Sequence, residues 1–182
     1  MSYIYLKIKN HSGKKYILTL FLFSILLFFL MESSVFGLIK FHTSDMIDTL
    51  FFYTPTKFAE IINSLDSFER TNYFRLHVID YGFILTFYPL LSILLYRGLY
   101  CNHLHKHCHW YKLAFLPLLA MLFDFSENII IDLHITTLRE PNTFFSLLGS
   151  TSTLLKFIII VISVAFITYF TFRTLSRKIK RT

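Results

Sequence analysis

The sequence predicts an all-α, polytopic membrane helical bundle of about four transmembrane helices, with a short amphipathic helix in the first outer loop. Three observations lead there. Hydrophobic residues make up 54% of the 182 and aromatics 19%, above the roughly 45–50% apolar usage of soluble domains. The apolar residues gather into four runs, each long enough at about 1.5 Å per residue to approach the roughly 30 Å hydrocarbon thickness of a bilayer. The formal charge of +7 is unevenly spread: twelve of the eighteen basic residues lie in three short segments, Lys7 to Lys15, Arg97 to Lys112 and Arg173 to Arg181, and none of the eleven acidic residues does. Basic segments alternating with apolar runs form the positive-inside pattern, which puts both termini in the cytoplasm and is unlike the basic stripe of a nucleic-acid binder. The expectation is an integral protein of a bacterial plasma membrane, with the lipid bilayer as partner and no nucleic acid.

With only five glycines, four prolines and no low-complexity stretch, a single membrane domain over 1–182 is expected. The first span covers approximately 16–38. A basic flank before an apolar core also describes a signal peptide, but Val35-Phe36-Gly37 is a poor cleavage site, which favours an uncleaved span; cleavage would leave three spans and an outside amino terminus. In the outer loop, 39–72, Thr54-Pro55 precedes Phe58, Ile61, Ile62, Leu65 and Phe68 at the spacing of one helical face, with proline near the start where its missing N–H costs little. This helix would lie on the membrane surface or pack on the bundle as a cap. The remaining spans cover approximately 73–96, 113–138 and 144–172, separated by a cytoplasmic loop, 97–112, and by Arg139-Glu140-Pro141-Asn142, which is long enough only for an antiparallel hairpin. Pro89 and Pro117 fall inside spans and predict kinks. The absence of an internal repeat speaks against an inverted-repeat transporter.

Ionisable residues within spans are costly in hydrocarbon and tend to face the bundle interior. Asp124, Glu127, Asn128 and Asp132, at relative positions 0, 3, 4 and 8, share one arc of the third helix. On the second, Arg70, Tyr73, His77, Asp80 and Tyr81 recur at helical spacing and bring a carboxylate roughly 10 Å below the outer boundary. On the fourth, Gly149, Ser152, Thr153, Lys156 and Ser163 form a stripe of small and polar residues. Lys156 lies roughly 18 Å in from the outer end and Glu127 roughly 16 Å. Matching depth predicts that Lys156 pairs with Glu127 or Asp124, because either charge alone would cost several kcal/mol. Four carboxylates, Asp80, Asp124, Glu127 and Asp132, then face one buried lysine, and a protonated carboxyl, water, a cation or a cationic ligand must make up the difference. The expected binding cluster is Arg70, Tyr73, His77, Asp80, Asp124, Glu127, Asn128, Asp132 and Lys156.

Glu69-Arg70-Thr71-Asn72-Tyr73 with Asp80 beyond it, Leu116-Pro117 leading into Asp124-Phe125-Ser126-Glu127-Asn128, and Thr153 with Lys156 together resemble an uncharacterised group of bacterial four-span membrane proteins. The group's pattern is approximately Gly-Arg-x-x-Tyr, a distant Asp, Leu-Pro before Asp-x-x-Glu-Asn, and a late Lys. It covers Tyr53 to Ile160 here, with Glu69 standing where the group has glycine. The resemblance implies the four-span architecture and the same polar residues, and it supplies no reaction. By architecture alone the chain is also similar to sterol isomerases and sigma-2-type receptors, small bundles whose buried carboxylates receive amine or sterol-like ligands.

Cys101, His103, His105, His107, Cys108 and His109 place six metal-ligand types within nine residues. On a helix, His103 with His107 and His105 with His109 would form i, i+4 pairs able to chelate zinc or copper. The spacing matches no established zinc module and Lys106 adds unhelpful charge, so the competing reading is an interfacial loop with imidazoles, Trp110 and Tyr111 at headgroup level. Both cysteines fall in a cytoplasmic segment, where no disulfide is expected. No nucleophile elbow, phosphate-cradling loop or His-Glu-x-x-His occurs. Apart from the metal option, no cofactor is expected. Three functions stay open: binding of a cation, amine or lipid-like small molecule at the carboxylate/lysine cluster; an intramembrane acid/base enzyme with Glu127 or Asp124 as the catalytic group and Lys156 tuning it; or a structural subunit of a homo- or hetero-oligomer whose polar stripe faces a partner helix.

Overall fold

A computed structural model describes residues 13–38, 46–102, 110–137 and 142–179. They form helix α1 (Lys14–Leu38), a 3-10 turn (Ile47–Thr49), α2 (Pro55–Ser64), α3 (Ser67–Cys101), a second 3-10 turn (Trp110–Phe115), α4 (Leu116–Thr137) and α5 (Thr143–Ile179). No strand occurs among the described residues. As the hydropathy predicts, α1, α3, α4 and α5 are long and apolar enough to cross a membrane, and the fold is an all-α bundle.

Local chemistry sets the helix starts. Thr54 caps α2, its hydroxyl accepting from Lys57 N at 3.2 Å, with Pro55 at the first helical position. The expected apolar face of α2 is buried through Phe58, Ile61 and Ile62, so this helix packs on the bundle and caps one end of it. At α3 a capping box sets the boundary: Asp66 Oδ1 accepts from Glu69 N at 2.7 Å and Glu69 Oε2 accepts from Asp66 N at 2.9 Å. This satisfies two of the orphan donors of a helix start. Helix α3 therefore begins at Ser67, six residues before the expected start of the second span at 73, and Phe68 is an exposed residue of α3 rather than part of the α2 face. The hydropathy boundaries of 96 and 172 are also exceeded, by α3 to Cys101 and α5 to Ile179; hydropathy marks where the solvent changes, whereas backbone hydrogen bonding continues past it. Pro117 is the second residue of α4, where no intrahelical bond is lost, so the kink expected there is not required. Pro89 does lie inside α3. Of the expected hairpin turn, Arg139, Glu140 and Pro141 lie outside the described residues, while Asn142 Oδ1 accepts from Phe144 N at 2.8 Å and caps α5.

Helix α3 is the centre of the bundle. On one side α1 runs antiparallel to it, with Ser24 Oγ donating to Thr86 Oγ1 at 3.1 Å and Leu27 resting on Gly82. On the other side lie α4 and α5, antiparallel to each other. Helices α3 and α5 run parallel and meet closely at Gly98, where an added Cβ would stand 2.9 Å from Phe170 Cβ. Beside this crossing Asn102 Nδ2 donates to Phe170 O at 3.1 Å and to Thr174 Oγ1 at 3.0 Å. The two ends of the bundle differ in charge. Opposite the α2 cap lie Lys14, Lys15, Arg97, Lys112, Arg173 and Arg177, and among the described residues no acidic side chain lies beyond Asp124 in that direction.

Small residues at helix crossings let backbones meet, and van der Waals contact carries much of the association in lipid. Gly98→Leu is expected to force α3 from α5 and cost about 1–3 kcal/mol, read as a lower unfolding temperature of the purified protein in detergent. Gly13→Leu, where an added Cβ meets nothing within 4 Å, should leave that temperature unchanged.

Candidate functional site

Helices α3, α4 and α5 turn their polar residues into one seam. The α4 residues Asp124, Glu127, Asn128 and Asp132 are all buried, as their shared arc predicts. Lys156 Nζ of α5 lies 2.7 Å from Asp124 Oδ1 and 2.5 Å from Glu127 Oε2, so the lysine takes both expected partners instead of one. The remaining oxygens are also bound: Asp124 Oδ2 accepts from Tyr88 OH at 2.6 Å, and Glu127 Oε1 accepts from the Thr153 hydroxyl.

Two further carboxylates continue the seam. Asp132 accepts from Tyr81 OH at 2.6 Å on Oδ2, and its Oδ1 lies 2.6 Å from His77 Nδ1. With that carboxylate accepting, Nδ1 carries the imidazole proton. Asp80 Oδ2 accepts from Asn128 Nδ2 at 2.6 Å. From Tyr73 to Tyr88 the seam follows α3 for roughly 22 Å.

The chain before α2 closes its capped end. Tyr73 OH donates to Asp48 Oδ1 at 2.9 Å and accepts from Ile47 N at 3.2 Å. Tyr53 N donates to Ser150 Oγ at 3.0 Å, and the Tyr53 ring stacks on Phe58 at 5.6 Å. The Tyr53 hydroxyl passes so near Gly149 that a Cβ there would stand 2.5 Å from it, so the polar stripe of α5 needs glycine at this point. Burial pushes the Tyr53 phenol well above its usual range, and the Glu127 carboxylate adds to the effect. Tyr53 therefore stays neutral at physiological pH.

Arg70 departs from its expected place. Its guanidinium donates to Ile62 O at 2.7 Å and Leu65 O at 2.9 Å, satisfying carbonyls at the end of α2, and it does not join the carboxylates. Those carbonyls have no intrahelical partner, and α2 ends level with the first turn of α3. Of the histidine-rich segment, Cys101 is exposed at the end of α3, and His103, His105, His107, Cys108 and His109 lie outside the described residues. No group of three or more His, Cys, Asp or Glu among the described residues is placed to hold a metal. Three functional-looking side chains were missed in sequence. Tyr88 had a signal, being seven positions beyond Tyr81 on the same face, whereas Asp48, in a single 3-10 turn, and Tyr53, in irregular chain, have no periodicity to place them.

The charges sort unequally. Lys156 offsets Asp124 or Glu127, Asp132 has His77 and Tyr81, and among the described residues Asp80 has only an amide. Asp80 is also half-buried where the other three are buried. Beside it Asn128 is fully buried with no partner for Oδ1 among the described residues, and His77 is fully buried with none for Nε2. Such unmatched buried groups cost about 1–3 kcal/mol each.

Lys156→Met should destabilise the bundle by about 3–5 kcal/mol by leaving two carboxylates without a counter-charge. The triple variant Lys156→Met/Asp124→Asn/Glu127→Gln should regain most of that loss, both read by unfolding in mixed micelles. No family model matches this chain, and no curated protein or solved structure matches it either.

Proposed function

We propose that this chain is an integral membrane protein that binds a small organic amine at Asp80, with the Asp124/Glu127/Lys156 cluster as the fixed wall behind the site. The observation that carries the reading is the half-buried Asp80 carboxylate, which sits inside a span with only the Asn128 amide as its hydrogen-bond partner among the described residues. An uncompensated carboxylate at that depth is costly, and a cation relieves the cost. An ammonium brings both the charge that Asp80 lacks and the N–H donors that Asn128 Oδ1 lacks. On neighbouring turns Tyr81 and Phe125 stack at 5.6 Å and 13°, and aromatic faces attract organic cations. Their apolar surface also suits a ligand with a lipid-like body. The basic end of the bundle supports a cytoplasmic placement for Arg97 and Arg173, with Asp80 in the outer half of the membrane.

Benzylammonium titrated into the detergent-solubilised protein should bind, and Asp80→Asn should weaken it at least about tenfold, or 1.4 kcal/mol, with an unchanged unfolding temperature. Ser126→Ala, on the exposed face of α4, should bind as the native protein does. Equal affinity in Asp80→Asn removes the reading.

A second reading, an intramembrane acid/base enzyme, is favoured by His77. Its Nδ1 is held by Asp132 and its Nε2 has no partner among the described residues, the arrangement of an oriented neutral base. Glu127 and Asp124, the catalytic groups expected from sequence, are engaged by Lys156, Thr153 and Tyr88, so in this reading His77 takes the proton. Turnover of a lipid extract should then fall about 10²- to 10⁴-fold in His77→Gln. Conversion that is equal in the variant and the native protein rejects it.

A further inference from the structure

Helices α3 and α5 part around their tight crossing to leave a groove of about 310 Å³ at the basic end of the bundle. Leu94, Ile167 and Leu175 give it apolar lining, and Arg97, Gly98 and Thr174 line it as well. We propose that this groove holds an acidic phospholipid, its phosphate on Arg97 and one acyl chain along the apolar wall. Arg97 makes no ion pair with any described residue. A guanidinium recognises phosphate oxygens through two parallel N–H bonds.

The surroundings distinguish this lipid from a neutral one. Lys112, Arg173 and Arg177 share the same end, and no described acidic residue accompanies them, so the potential there is positive and each basic group near the surface favours an anionic headgroup by about 1 kcal/mol. The wall distinguishes it from free phosphate. Leu94, Ile167 and Leu175 offer nothing to an inorganic ion but contact a hydrocarbon chain. Because α3 and α5 are already in contact at Gly98 and Phe170, the groove exists without any helix having to move. The site lies at the opposite end of the bundle from the α2 cap and does not rest on the amine reading.

The test is native mass spectrometry of the full chain released from bilayers of phosphatidylcholine containing a minority of phosphatidylglycerol. The native protein is expected to retain phosphatidylglycerol selectively. Arg97→Gln should lower that retention about fivefold, with unchanged helical content by circular dichroism. Arg97→Lys should recover part of it. Ile167→Trp, which fills the groove and leaves the charge, should lower retention as well, and inorganic phosphate should not displace the lipid. Equal retention of the two lipids, undiminished retention in a folded Arg97→Gln protein, or displacement by inorganic phosphate overturns the proposal.

Discussion

A lysine ammonium enclosed among apolar helices has to be neutralised where it stands, and Lys156 is neutralised by two carboxylates one turn apart on α4, at 2.7 and 2.5 Å. One charge-assisted hydrogen bond to Asp124 and an ion pair with Glu127, both from one nitrogen, fix the antiparallel register of α4 and α5 more tightly than apolar packing does, because a shift by one residue would carry both carboxylates away from it. Helix α3 joins the same register through Tyr88, which donates to the free oxygen of Asp124, and Thr153 occupies the free oxygen of Glu127. The small residues of α5 follow from this constraint. Ser146, Ser150, Ser152 and Thr153 are buried, and the polar stripe is turned into the chain's own seam.

With that centre in place, the capped end closes over it. Tyr73 carries the seam to Asp48, Tyr53 lies across Gly149, and Arg70 fastens the end of α2 to α3. Each contact binds backbone or side-chain groups that irregular chain would otherwise leave unpaired beside an apolar core. Helix α1 stands apart from this arrangement. It meets α3 through Ser24, Leu27 and Phe28 and leaves most of its phenylalanines and leucines exposed, as a helix surrounded by acyl chains does. The seam is accordingly a property of three helices, and the two ends of the bundle offer different chemistry: unmatched carboxylate near the cap and unmatched guanidinium at the other end.

Much of this was legible from periodicity. Spacings of three and four along a helix determine which residues share a face, so the arc of Asp124, Glu127, Asn128 and Asp132 and the row of Tyr73, His77, Asp80 and Tyr81 could be drawn without coordinates. Rise per residue then set Glu127 and Lys156 at equal depth, which is why their pairing was readable. Asp66 and Glu69 also carried a capping box in sequence, but hydropathy, which averages over a window, set the start of α3 several residues late. Partner choice was not legible in the same way. That Asp80 would face Asn128 and not Lys156, that His77 would reach Asp132, and that Arg70 would turn to α2 all depend on the rotation and offset of whole helices.

The amino-acid sequence by itself determined the four apolar helices, the charge difference between the bundle's ends and the set of polar side chains that had to be enclosed, because these follow from local spacing and from transfer between water and hydrocarbon. Only the tertiary structure decided which carboxylate is left without a cation, which imidazole nitrogen is left without a proton donor, and that Asp48 and Tyr53 close the seam. Those outcomes rest on distances between segments far apart in the chain, and no periodicity within one segment encodes them.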